Sequence, residues 1–228
     1  MTPSTLDDLT SASEAHAAPK QRALSCLLQR KALVRLPAPD AGEQAAWSAR
    51  RALSRMLARL PATLLDELSR ATGGYLVVWQ GDTGYIPGPW ADADRTLFAV
   101  ALLNAAELEA AAEPTYGVLA QLVDHLLGSL TEVPVGFISR GSSASPAWSD
   151  FHRRLLAAHG LGYADDETAR RSPSGYFAWA FANYCLDRRR LAALDAQAYR
   201  LLHSTIFSEA YWRGHPLTPS ISAGPQQL

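Results

Sequence analysis

Apolar positions near the start of the chain recur with the period of a helix. "QRALSCLLQRKALVRL", from Gln21, predicts a short helix that the segment "PAPD" at 37–40 stops. Trp47, Leu53, Met56, Leu57 and Leu60 then return at helical spacing, Pro61 interrupts them, and a second helix ends at Gly73 and Gly74. From there the pattern changes. Tyr75 to Trp79 is a short β-prone run, followed by a Gly-Asp turn, and "GYLVVWQGDTGY" predicts a hairpin rather than a ligand loop. "GYIPGPW" predicts a Pro/Gly loop, and "RTLFAVALL" fits a strand or the opening of a helix equally.

The second half is mostly helical. "PTYGVLAQLVDHLLGSL" predicts one helix and "VPVGFISRGSSASPAW" a loop. Ser145-Pro146 and Ser172-Pro173 each place an N-cap before a proline at the first helical position, opening helices at "PAWSDFHRRLLAAH" and "SGYFAWAFANYCLDRRRLAAL". Asp195 caps a last helix running to about Phe207. The expected organisation is a disordered tail over 1–20, one α+β domain over 21–212 that is mostly helical with a small β-sheet, and an extended tail over 213–228.

Composition narrows the function classes. A net charge of −1 argues against a dedicated nucleic-acid surface, so the basic groups at Arg50-Arg51, Arg153-Arg154, Arg170-Arg171 and Arg188 to Arg190 are expected on solvated helix faces. Two cysteines, Cys26 and Cys185, rule out a disulfide framework and a cysteine-rich zinc site. No apolar run reaches the ~18 residues of a membrane span, and no secretory signal is visible, so a soluble cytoplasmic chain is expected. Abundant Ala and Arg with few Lys fit a GC-rich bacterial genome.

Candidate chemistry centres on "LVDHLLGS". A zinc-peptidase helix needs two imidazoles one turn apart with a glutamate beside the first, and a further ligand from a later element. Here His125 is followed by Leu126, Leu127, Gly128 and Ser129. The order "VDHLLGS", "SSASPAW", "SPSGYFAWAFANY", "LDAQAYRLL" resembles the metallopeptidase-like catalytic domain of the anthrax lethal factor family, over about residues 50–208. That family commonly shows His-Glu-Leu-Gly-His, then Glu-Tyr-Phe-Ala-Glu-Ala-Phe, then Pro-x-x-Tyr-x-x-Leu. The resemblance implies a zincin-like fold and matches the first His at His125. It puts the general-base position at Leu126, the second His at Ser129, the zinc-binding Glu at Gly175, a supporting Glu at Trp179 and the catalytic Tyr near Thr168. "YFA" and "AF" persist while the ligand positions are changed, which implies a metallopeptidase-like fold without the reaction, with no metal and no cofactor.

His125 and Ser129 lie about 40° apart on the helical wheel, at the edge of an apolar arc that includes Leu126. The plain reading of His125 is a core-boundary histidine bonded to a neighbour. His152 and His159 are expected in solvated or helix-terminal roles, and Asp165, Asp166 and Glu167 on a surface loop. Asp124 points about 100° away from His125 and so does not orient it as in a triad. For Tyr85, Ile86 and Trp90 a contact surface and a role folded over the core stand side by side.

The leading expectation is a catalytically inactive module that binds a protein partner or itself, with Tyr85, Ile86, Trp90, His125 and Trp179 as the candidate surface. A hydrolase with a non-standard metal site around His125, using Asp124, His152 or Asp165, is the second reading. A nucleic-acid accessory protein using the arginine clusters is the third.

Overall fold

The computed structural model describes residues 19–36, 42–93, 95–128 and 136–217. Of the tail expected over 1–20, residues 19 and 20 belong instead to the first helix and the rest lie outside the described residues, as do the "PAPD" segment, Ser129 and residues 218–228. The fold is α+β and mostly helical, with one small mixed sheet.

The first helix, α1 over 19–31, stops at Lys31, five residues earlier than the periodicity predicts, and the chain continues as strand β1, Ala32–Arg35. Lys31 explains the stop. Its ammonium is buried and donates to the carbonyl oxygens of Ala71 at 2.5 Å and Gly73 at 2.9 Å, so it closes the C-terminus of α3, Ala62–Arg70. Between them runs α2, Gly42–Leu57. Its buried face of Leu53, Met56 and Leu57 enters the main core with Leu64, Leu65 and Leu68 of α3.

The sheet holds β1, β2 (Tyr75–Trp79), β3 (Gly84–Asp92) and β4 (Arg95–Asn104) in the order β1-β2-β4-β3. β1 and β2 are parallel, as are β2 and β4. The predicted hairpin at 74–85 therefore does not form: β2 pairs with β4, and the hairpin is β3–β4, with "RTLFAVALL" resolved as strand. "GYIPGPW" is an edge strand rather than a loop, and its prolines suit an edge because each removes a donor from the ladder.

The β3–β4 hairpin does not lie flat. Arg35 is level with Trp79, and Trp79 with Asn104. Asp92 pairs with Arg95, nine residues from Asn104 along β4, which is about 30 Å of extended strand. Yet Arg35 binds both carboxylate oxygens of Asp92 at 2.8 Å. The tip must double back over the outer face of the sheet, where Val77, Leu97, Val100 and Leu102 form a second small core rimmed by Trp79, Ile86 and Trp90. The bend falls where the register shifts between Ile86 and Pro89 and where Ala99 takes a left-handed φ of 54°.

Helix α4 (Ala105–Glu109) leads into α5 (Glu113–Gly128), and a 3₁₀ turn, Ile138–Arg140, precedes α6 (Pro146–His159) and α7 (Glu167–Arg171). α8 (Pro173–Leu194) kinks at Asp187, and α9 is Ala196–Ser204. The last helix ends three residues short of Phe207. A further one, α10 (Glu209–Gly214), runs across the boundary expected at 212. The packed part reaches Leu217, which is buried. Glu209 fixes α10: its carboxylate accepts from the Ala62 and Thr63 amides at the open start of α3.

Candidate functional site

α5 and α8, the two helices that carry the positions of interest, pack against each other. His125 is buried on α5, and its Nδ1 is 2.6 Å from the Tyr85 hydroxyl on β3. Its ring stacks on Phe137 with centroids 4.8 Å apart. Burial lowers its pKa below the ordinary imidazole value and raises that of Tyr85, so a neutral imidazole faces a neutral phenol.

The neighbouring Asp124 points elsewhere, as the helical wheel predicts. It is fully buried and accepts from the Ser139 amide at 2.8 Å and the Ser139 hydroxyl at 2.6 Å, with the Ser174 hydroxyl at 3.4 Å. It therefore ties α5 to the 3₁₀ turn and to the start of α8. Burial holds its pKa above the ordinary carboxylate value, and the hydrogen bonds from Ser139 offset only part of that rise. Gly128 completes this join: a Cβ there would stand 2.6 Å from the Phe137 carbonyl carbon and 2.7 Å from the Ile138 amide nitrogen.

On α8, Ser172 caps the helix by accepting from the Gly175 amide. Gly175 lies directly against α7. A Cβ at 175 would stand 3.0 Å from the Thr168 carbonyl carbon and collide with its oxygen. The position where the resemblance implies a zinc-binding Glu thus has no room for a side chain in this packing. Leu126 is buried, and Trp179 is only 5 % exposed. The Trp179 indole N–H donates to Asp165 at 2.9 Å, Asp165 binds Arg190 at 2.7 Å, and the ring stacks on Tyr176.

The structure separates the candidate surface. Tyr85 pairs with Ala101 and faces the main core, whereas Ile86 and Trp90 border the outer cluster. His125 and Trp179 are interior residues, which removes them from an exposed contact surface. The groups of the second reading do not converge: Asp124 serves Ser139, Asp165 serves Trp179 and Arg190, and His152 Nδ1 is buried without a hydrogen bond. Among the described residues, no three His, Cys, Asp or Glu side chains cluster as metal ligands. The basic groups are mostly engaged locally: Arg153 with Asp150, Arg171 with Glu167, Arg190 with Asp165, and Arg188 over the Tyr184 ring.

Phe137, Ser139 and Ser174 are the members of this site that the sequence did not point to. They join it across gaps of 12, 15 and 50 residues from His125 and Asp124, and no periodicity links such positions. No family model, curated protein or solved structure matches this chain.

Proposed function

We propose that this chain is a lethal-factor-like metallopeptidase scaffold without the metallopeptidase reaction, working in the cytoplasm by binding a protein partner or a second copy of itself. The observation that carries the reading is the closed packing of Gly175 against Thr168. Where the resemblance calls for a ligand, the backbone of a neighbouring helix fills the space. Two further features agree with it. His125 is engaged by Tyr85 and Phe137, and Trp179 presents an indole N–H, which donates a hydrogen bond and cannot ligate zinc.

With the interior filled, contact falls to the outside. Leu156, Leu161 and Tyr163, at the end of α6 and the turn after it, are 40 %, 51 % and 55 % exposed. Apolar side chains grouped on one stretch of surface suit a protein interface, and a tyrosine is a good anchor there.

The first test is zinc content of tag-free protein after zinc addition and dialysis. Less than about a tenth of an equivalent is expected, since a lone imidazole holds zinc poorly. Near-stoichiometric zinc that disappears in His125→Ala overturns the reading. For the interaction, Leu161→Asp with Tyr163→Asp should abolish self-association measured by sedimentation, or the binding of a purified partner. Unchanged association in the folded double variant moves the interface elsewhere.

A further inference from the structure

Away from this site, the end of α2, the loop after α4 and the start of α5 enclose a hollow of about 120 Å³. Its polar walls are Arg55, Arg59, Glu109, Thr115 and Tyr116, and Met56 is among its apolar ones. We infer that this hollow binds a small oxyanion of the phosphate or sulfate class, held by Arg55 and Arg59.

Arg55 on the last turn of α2 and Arg59 two residues past its end are both exposed and carry like charges, a mildly unfavourable pairing that a bound anion relieves. Here neither is neutralised by an ion pair with another described residue, although Glu109 stands at the rim. Arg59 lies over the Tyr116 ring, 5.5 Å from its centroid, and one of its nitrogens donates to the Cys185 carbonyl. That bond anchors the guanidinium and leaves its remaining donors free. Arg55 makes no hydrogen bond with a described residue, nor does the Tyr116 hydroxyl. Both guanidiniums lie near enough to act electrostatically on that phenol. The hollow therefore has several uncommitted donors, two positive charges and one opposing carboxylate.

The geometry selects for an oxyanion rather than chloride. A planar guanidinium gives paired N–H groups that match two oxygens of one anion. A hollow of about 120 Å³ is large enough to admit an ion such as inorganic phosphate. Thr115 contributes shape rather than a donor, because its hydroxyl proton is used on the Ala112 carbonyl at 2.7 Å. Glu109 opposes an anion by like-charge repulsion and so weakens the site.

The test is thermal unfolding of the full chain, titrated with sodium phosphate against sodium chloride at constant ionic strength. A saturable rise in Tm of about 3–5 °C at tenfold excess over Kd is expected for a chain of this size. Arg55→Gln should weaken the response at least tenfold, and Glu109→Gln should strengthen it at least twofold. Arg59→Gln serves as a second variant. Should it fail to fold, because Arg59 also holds the Cys185 carbonyl, Arg55→Gln decides alone, since Arg55 supports no other group. An unsaturable rise, or one of equal size in Arg55→Gln, is a general salt effect and overturns the site. So does the absence of any rise.

Discussion

Gly175 and Thr168 meet backbone to backbone: the N-terminal turn of α8 rests on α7 with no space for a methyl group between them. Gly175→Ala should therefore destabilise the protein by about 1–3 kcal/mol, the usual cost of overpacking. Gly117, the fifth residue of α5, has nothing within 4 Å of its would-be Cβ. Gly117→Ala should instead stabilise by about 0.5–1 kcal/mol. Urea unfolding of the two variants compares a tight glycine with a spacious one. A neutral Gly175→Ala would show that α7 yields easily and that this position can take a side chain.

Among the described residues, Asp124 is the side chain that bonds both the Ser139 amide and the Ser139 hydroxyl in the interior. Asp124→Ala leaves both donors buried, and a loss of about 2–4 kcal/mol is expected. Asp124→Asn retains a carbonyl oxygen for the amide and should lose less. Equal losses would mean that the charge, rather than the accepting oxygens, is what the turn needs.

The Arg35–Asp92 pair fastens the hairpin tip. The guanidinium of Arg35 holds the Asp92 carboxyl down at about 2. An unfolded Asp titrates near ~3.9. The sign is that of a depressed acid: the contribution is complete above the unfolded value and fades as pH falls from about 4 towards 2. Because Arg35 is 46 % exposed, solvent screening reduces it to roughly 1 kcal/mol. Arg35→Gln should speed hydrogen exchange of the amides of 90–92 and 95–97 by about fivefold while α5 amides change little. Uniform acceleration would show that the tip opens only with the whole fold.

His125 titrates in the other region. Its folded pKa is lowered by burial, against about 6.5 when unfolded. Stability is therefore full above that value and is lost as pH drops below it, because the unfolded chain takes up the proton more readily. His125→Gln, which can still meet the Tyr85 hydroxyl, should flatten the stability profile below about pH 6.5. A profile with the same slope would place the titrating group elsewhere.

Helices with strong local signals were legible in the chain: the caps at Ser172 and Asp195 stand where their sequences put them. What misled was tertiary. Val34 and Arg35 continue a helical pattern but are drawn into a strand beside β2, because Lys31 is spent on the end of α3. Tyr75–Trp79 passes over its chain neighbour β3 and pairs with β4, a choice no turn residue encodes. At the candidate site, the separation of Asp124 from His125 follows from the helical wheel. Their partners do not, since Tyr85, Phe137, Ser139 and Ser174 come from distant elements.

The doubled-back hairpin also sets an order of events in folding. Its two strands are neighbours in the chain and can zip within about 1–10 μs. Its seat on β1 lies 57 residues upstream at Arg35, and the cluster beneath the tip exists only once β2 has joined β4. The hairpin forms early and is seated late. Substitutions at Arg35, Asp92, Trp90 or Leu97 should therefore accelerate unfolding and leave the folding rate nearly unchanged. Among the strands, β3 and the far half of β4 are the part of this sheet that comes loose first.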